Sequence, residues 1–175
     1  VNSHFFSQNI IVNYEMKRKP NAGFIANNLI PEDVKENYLV SINTPSKHHL
    51  FISNNETNYE FGEFTIETGV KKKYVAFENS DSYFYRKTYD TIVINKASDN
   101  EGECYVNYHQ INGKKEFLKD EKIDNYNCKV VKISNESGDV MIWYTDDIPI
   151  NAGPSYFWGF PGLVLKTEDS VSTIY

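Results

Sequence analysis

The sequence predicts an all-β protein in which antiparallel strands form a strongly curved sheet, a sandwich or a half-barrel, with at most one short helix. Three observations support this fold class. Apolar and polar residues alternate in many short segments, turn-forming residues separate those segments, and Tyr and Phe, which favour strands, number 13 and 11 among 175 residues. A chain of this length is expected to form one domain whose core needs no metal or disulfide to fold.

The predicted strands follow apolar positions that recur every second residue. The clearest has Ile10, Val12, Tyr14 and Met16 on one face. Residues 140–144 are apolar on both faces, which predicts a strand buried on both sides. The same alternation predicts strands through Tyr38, Val40 and Ile42, through Tyr59 and Phe61, through Tyr83, Tyr85 and Tyr89, through Cys104, Val106 and Tyr108, through Tyr126, Cys128 and Val130, and through Val171, Thr173 and Tyr175.

Turn signals lie between these segments. The alternation changes parity at Gly62, which predicts a bulge or tight turn. Asn112-Gly113 predicts a hairpin between the flanking strands, and residues 135–138 predict another. Residues 18–35 are rich in Pro, Gly and Asn and predict a long loop, in which Pro31 and the acids after it could begin the one short helix.

The ends of the sequence bear on the domain boundaries. Residues 1–8 (VNSHFFSQ) resemble the tail of an export signal, with an ordinary N-terminal tail as the alternative. The last predicted strand continues to Tyr175, which predicts truncation at the C-terminus. Residues 9–175 are therefore expected to form a single domain. Cys104 and Cys128 are compatible with export and could form one disulfide, or both could be small buried hydrophobic residues.

Charge and composition disfavour several classes of partner. The net charge of −6 disfavours nucleic acid, because phosphate binding requires clustered Lys and Arg. The short basic run at 71–73 is more typical of a solvated strand end or loop than of an anion site. No segment approaches the roughly 20 apolar residues of a membrane-spanning helix.

The residues that could carry chemistry do not form a recognisable catalytic or metal-binding pattern. His48 and His49 would point to opposite faces of a strand and could not chelate one ion, and His109 stands alone. Asp146-Asp147 precede a proline and are typical of a solvated turn, although paired carboxylates can act as acid and base. Cys128 has no evident histidine base. We therefore predict no catalytic residue, no metal and no cofactor.

The most unusual segment, residues 153–165, combines Gly, Pro and aromatic residues. With Tyr126-Asn127-Cys128-Lys129, the strand at Trp143-Tyr144-Thr145, Ile148-Pro149 and the opening at residues 11–16, it resembles the GLPGLI family, exported proteins of Bacteroidetes-type bacteria. Here residues 159–164 read GFPGLV. The resemblance implies a periplasmic or outer-membrane-associated location and a β-rich fold over residues 9–175. It does not supply an enzymatic activity, and no catalytic residue can be carried over from it.

Physical chemistry predicts a rigid corner in this segment. Proline fixes the backbone dihedral φ, and glycine permits positive φ or close backbone approach. The residues expected to build the corner are Gly153, Pro154, Gly159, Pro161, Gly162 and Leu163. The aromatic residues expected either to cap the core or to form a binding surface are Trp143, Tyr156, Phe157, Trp158 and Phe160.

These observations favour a non-enzymatic cell-envelope protein. The first hypothesis is that a curved, aromatic-rich sheet binds an apolar, lipid-like ligand or a protein partner. The second is a structural or assembly subunit of an outer-membrane complex whose sheet edges are covered by partners or recruit a partner strand. A third, less favoured hypothesis is an unrecognised hydrolase.

Overall fold

The structure is a computed structural model. It describes residues 9–53, 56–63, 83–87, 92–99, 102–109 and 111–175, with side chains for 9–53, 56–60 and 111–175. The predicted export-signal remnant at 1–8, the basic run at 71–73 and Tyr89 lie outside the described residues.

The described residues contain twelve strands and two helices. Every described strand pairing is antiparallel, and the strand order is β6-β5-β4-β3-β2-β1-β12-β11-β10-β9-β7, with β8 also pairing with β9. The strands are β1 (Ile10–Arg18), β2 (Ser46–Ser53), β3 (Glu56–Glu63), β4 (Tyr83–Lys87), β5 (Ile92–Asp99), β6 (Gly102–His109), β7 (Lys114–Phe117), β8 (Glu121–Ile123), β9 (Tyr126–Asn135), β10 (Gly138–Thr145), β11 (Leu163–Glu168) and β12 (Ser172–Ile174). The predicted fold class, a mostly antiparallel β-sheet with few helices, is confirmed.

The predicted alternation in β1 is confirmed. Tyr14 is buried and its even-numbered neighbours are half-buried, whereas Asn13 and Glu15 are exposed. The parity change at Gly62 is also confirmed as a bulge. Lys47 pairs with Glu63 and His48 pairs with Phe61, so Gly62 is the extra residue on β3.

The helices required a correction of the predicted strand through Tyr38, Val40 and Ile42. These residues lie in α2 (Glu32–Asn43), and α1 (Ala22–Ala26) also interrupts the segment predicted as a loop. The prediction of at most one short helix is therefore wrong, because the described residues contain two. Tyr38 and Ile42 fit period two, but with Val34 they also fit the i, i+4 spacing of one helix face. Acidic residues in the first turn support the helical alternative. No helix among the described residues is long and apolar enough to cross a membrane.

The hairpin predicted at Asn112-Gly113 is wrong, because β6 and β7 lie at opposite ends of the strand order. Gly113 instead allows its backbone to pack closely against strand β9. A Cβ there would lie 2.5 Å from the carbonyl oxygen of Ser134, on the neighbouring strand β9. The hairpin predicted at residues 135–138 is confirmed, since Gly138 pairs directly with Asn135. Asn135-Glu136-Ser137-Gly138 therefore forms a turn, whereas Asn112-Gly113 allows a close backbone contact.

Strand β10 is buried on both faces, as predicted. Its even-numbered residues, such as Ile142, join the main core with Tyr14, Leu50 and Ile133. On the other face, Trp143 forms a smaller cluster with Cys128 and Val130. This end of the sheet therefore has apolar packing on two sides.

Cys128 is a free, buried cysteine in this structure, so the Cys104–Cys128 disulfide is not formed. Cys104 lies in β6 and Cys128 in β9, and these strands are nine places apart in the strand order. A disulfide requires Cα atoms within about 7 Å, whereas neighbouring strands are already about 4.8 Å apart. Cys128 thus fits the alternative prediction of a small buried hydrophobic residue.

Candidate functional site

The predicted corner connects β10 to β11 and is held by backbone hydrogen bonds. The Leu163 amide donates to the Ile148 carbonyl at 3.0 Å, and the Val164 amide donates to the Ala152 carbonyl at 2.9 Å. A tight turn inside the corner is closed by the Phe157 amide, which donates to the Pro154 carbonyl at 3.0 Å. These bonds tie the corner to the first residues of β11.

Glycines allow the corner to pack this closely. Gly159 has φ of 97°, which favours glycine. Gly162 does not have positive φ, but a Cβ at this position would overlap the carbonyl oxygen of Thr145. A Cβ at Gly153 would overlap the carbonyl oxygen of Phe157. The two alternatives given for the glycines, positive φ and close approach, are therefore both present, at different positions.

The aromatic residues of the corner lie in the core rather than on a surface. Phe157 is 2% exposed, and Trp158 and Phe160 are each 5% exposed, while Tyr156 is half-buried. Phe160 stacks on Tyr144 with ring centroids 5.1 Å apart. Side chains this deeply buried stabilise the fold and offer little area to a ligand. Of the two predicted roles, the geometry favours capping the core.

Trp143 occupies the opposite face of the sheet and has polar partners. Its indole Nε1 donates a hydrogen bond to Glu121 Oε2 at 2.9 Å, and Lys166 Nζ lies 4.2 Å from the ring centroid. Both contacts are typical of a Trp that is buried with its polar edge satisfied. With 5% exposure, Trp143 is also unavailable as a surface contact.

A buried polar cluster that the sequence reading missed lies on the core side of β1, β2 and β3. Ser46 Oγ and His48 Nε2 are 2.9 Å apart, and the His48 ring stacks on Tyr59 at 5.2 Å. The Tyr14 hydroxyl donates to the Val164 carbonyl at 2.6 Å, which joins β1 to the start of β11. The available signal was the spacing of Ser46 and His48, two residues apart on one strand face.

The Ser46–His48 pair resembles a nucleophile and its base, but its electrostatics are unfavourable for catalysis. Burial, with smaller contributions from the charges of Arg18 and His49, lowers the pKa of His48 to about 4. Burial also raises the pKa of Tyr14. A histidine with so low a pKa is a weak base, and both members of the pair are almost inaccessible to a substrate. The arrangement suits a core hydrogen bond.

The remaining predicted chemistry is also accounted for structurally. His49 faces away from His48 and contacts Asn13 Oδ1 through Nδ1 at 2.7 Å, as the opposite-face prediction required. Asp146 and Asp147 are exposed in a turn, where the Asp147 amide donates to Thr145 Oγ1 at 3.2 Å. Burial raises the pKa of Cys128, so its thiol is less nucleophilic. The side chain of His109 lies outside those described.

No group of three or more His, Cys, Asp and Glu side chains that could hold a metal ion occurs among the described residues. Among the described side chains singled out for chemistry, His49, Asp146 and Asp147 belong to no such group, and His48 and Cys128 are buried.

Comparison with known proteins finds a partial match to one family model and a similar fold, but no activity. The model of the Porph_ging family, described as a protein of unknown function, matches residues 86–166, somewhat less than half of the chain. No curated protein matches the chain.

Two solved structures, those of PNGF-II in the C2 and P21 space groups, have similar folds. Their TM-scores are 0.59 and 0.58, each at 19% sequence identity over 96% of this chain. The chain spans only 26% and 27% of the two PNGF-II chains, about a quarter of their length. The chain is thus similar to a family of unknown function in its second half and to one part of a larger protein in its fold.

Proposed function

We propose that the chain forms a non-enzymatic binding domain of the cell envelope, which contacts a protein partner through exposed parts of its sheet. The observation that carries this proposal is that the aromatic residues expected to bind lie inside the core. Among the described residues, the surface left for binding includes strand edges and polar faces. The assembly hypothesis drawn from the sequence proposes that partner proteins cover the sheet edges or add a strand to them.

Two further observations support the proposal. A similar fold forms about a quarter of the PNGF-II chains, so this kind of sheet exists as one unit of a larger protein. The motif at residues 159–164, similar to that of the GLPGLI family, supports an exported protein that is periplasmic or associated with the outer membrane. The Ser46–His48 pair offers little support for hydrolysis because its histidine is a weak, buried base.

Native purification of the full-length protein from envelope membranes, followed by mass spectrometry, tests this proposal. We expect a small set of proteins to co-purify in fixed ratio to the chain. A bare monomer in extracts prepared without detergent and without added salt would contradict it. An unrelated tagged envelope protein, purified in parallel, identifies adventitious proteins.

An apolar ligand is the second candidate, favoured by the partial exposure of apolar side chains in the helical segment. Within α1 and α2, Ile42 is buried, whereas Phe24, Val34 and Leu39 remain half-buried. A lipid-like molecule could complete such a surface. Organic extraction of the purified protein would release a stoichiometric lipid in this case, and a lipid-free extract would reject the candidate.

A further inference from the structure

One end of the described sheet is an interrupted edge strand. β7 and β8 both pair with β9, and their registers differ by one inserted residue, so residues 114–123 form a single edge with a break at 118–120. No described strand pairs with the outer side of this edge. All four residues of β7 are exposed, and Phe117 is 68% exposed.

The backbone of β7 presents hydrogen-bonding groups to solvent at alternate residues. The Leu118 amide donates to the Val130 carbonyl at 2.9 Å, so Leu118 directs its backbone groups toward β9. Because direction alternates along a strand, Lys115 and Phe117 direct theirs outward. Two residues with free N–H and C=O groups can pair with an added strand.

The side chains along this edge give it a positive charge within a chain of net charge −6. Among the acids, Asp120 is paired with Lys129 at 2.6 Å, and Glu121 accepts the Trp143 hydrogen bond. Glu116 lies opposite Lys132, but Lys132 is ion-paired with Asp139 at 2.6 Å. The lysines of the edge, for which no ion pair is found among the described residues, are Lys114, Lys115, Lys119 and Lys122.

We propose that the edge formed by β7 binds an extended acidic segment of a partner protein, which adds a strand at Lys115 and Phe117. The proposal rests on the proposed function and names its binding site and the chemistry of its partner. Backbone pairing supplies the direction and register of the added strand, and the lysines select an acidic sequence. Phe117, exposed beside the core residue Val131, supplies an apolar contact for the added strand.

The same lysines disfavour other occupants of the edge. A second copy would bring two lysine-rich edges together, and like charges placed opposite each other on neighbouring strands are destabilising. An anionic membrane would satisfy the charges but would leave the outward backbone groups of Lys115 and Phe117 without strand partners. An acidic strand would pair with the lysines and also with the outward backbone groups of Lys115 and Phe117.

Binding of a capped octapeptide of four Glu-Val repeats to the whole domain, measured by calorimetry at low salt, tests the proposal. Two control peptides separate the contributions, namely four Lys-Val repeats and a Glu-Val peptide with an N-methyl group on every amide, which leaves neither edge able to donate to β7. We expect the unmodified acidic peptide to bind at least tenfold more tightly than either control. Equal binding of the N-methylated peptide would overturn strand addition, and equal binding of the Lys-Val peptide would overturn charge selection.

Paired variants locate the site. Lys114→Glu with Lys119→Glu should weaken binding about tenfold, whereas Lys17→Glu with Lys47→Glu, which changes the net charge equally on β1 and β2, should not. Phe117→Pro and Phe117→Ala both remove the ring, but only proline removes an outward N–H. We expect the proline variant to bind about threefold to tenfold more weakly than the alanine variant, as one lost hydrogen bond implies. Unchanged melting curves establish that the variants fold.

Binding to phosphatidylglycerol vesicles with no peptide affinity would overturn the proposal in favour of a membrane contact. Envelope proteins that co-purify equally with native chain and with the Lys114→Glu, Lys119→Glu variant would place the partner at another surface. That result would leave the proposed function standing and reject this edge as its site.

Discussion

The corner with its two flanking strands and the helical segment between β1 and β2 differ sharply in packing. In the corner, Gly162 and Gly153 approach neighbouring carbonyls so closely that no side chain fits, and β10 is buried on both faces. In the helices, most apolar residues are half-buried, and Leu29, in the turn between α1 and α2, is 91% exposed. Aromatic content alone therefore does not locate a binding surface. The aromatic residues at 156–160 are instead mostly buried in the core.

The largest effect is expected from a cavity at the centre of β10. Ile142 is 0% exposed, and Ile142→Ala should lower the free energy of unfolding by about 4 kcal/mol because it leaves a hole that the two-sided packing cannot close. The half-buried Ile25 of α1 provides the matched variant, Ile25→Ala, which should cost about 1 kcal/mol or less. Denaturant unfolding measures both. Similar losses would remove the distinction between the two regions.

Close backbone approach gives the next largest effect. Gly162→Ala should destabilise the fold by about 3 kcal/mol, because its Cβ would overlap the Thr145 carbonyl. Gly23→Ala in α1 is the control. It meets Asn21 Oδ1 at 3.3 Å and replaces a poor helix former, so we expect a change of about 1 kcal/mol or less. Unfolding curves in which both variants match the native chain would refute a tightly packed corner.

The sequence predicted the corner well and the buried polar cluster not at all, for physical reasons. Pro restricts the backbone locally and Gly frees it, so the composition of residues 153–162 was enough to predict a rigid corner. The contact of Tyr14 with Val164 joins residues 150 positions apart, and no local pattern encodes it. Asn112-Gly113 misled because the same residues serve turns and close approach, which only the pairing of β7 with β9 distinguishes.

A pH dependence is expected from His48, whose pKa is lowered to about 4 by burial. The unfolded chain binds a proton near pH 6.5 while the folded chain does not, so stability is lost as the pH falls from about 6.5 to about 4. The slope in this window should approach 1.4 kcal/mol per pH unit from this residue. His48→Gln should flatten it, measured as unfolding midpoint against pH. His49→Gln, on the exposed face, should retain the slope, and equal flattening by both would reject the assignment.

The smallest effect is expected in the exposed turn between α1 and α2. Leu29→Ser should change the free energy of unfolding by less than about 0.5 kcal/mol, because the side chain is already in solvent. A loss above about 1 kcal/mol, measured under the conditions used for Ile142→Ala, would mean that this region is packed more tightly than its exposure indicates.

Hydrogen exchange of the domain, alone and saturated with the Glu-Val octapeptide, tests most directly whether the corner stabilises the fold and the β7 edge binds the partner. We expect the corner to be strongly protected in both states and added protection to appear at residues 113–118. Added protection at residues 153–162, with none at 113–118, would contradict it and return the binding role to the aromatic corner.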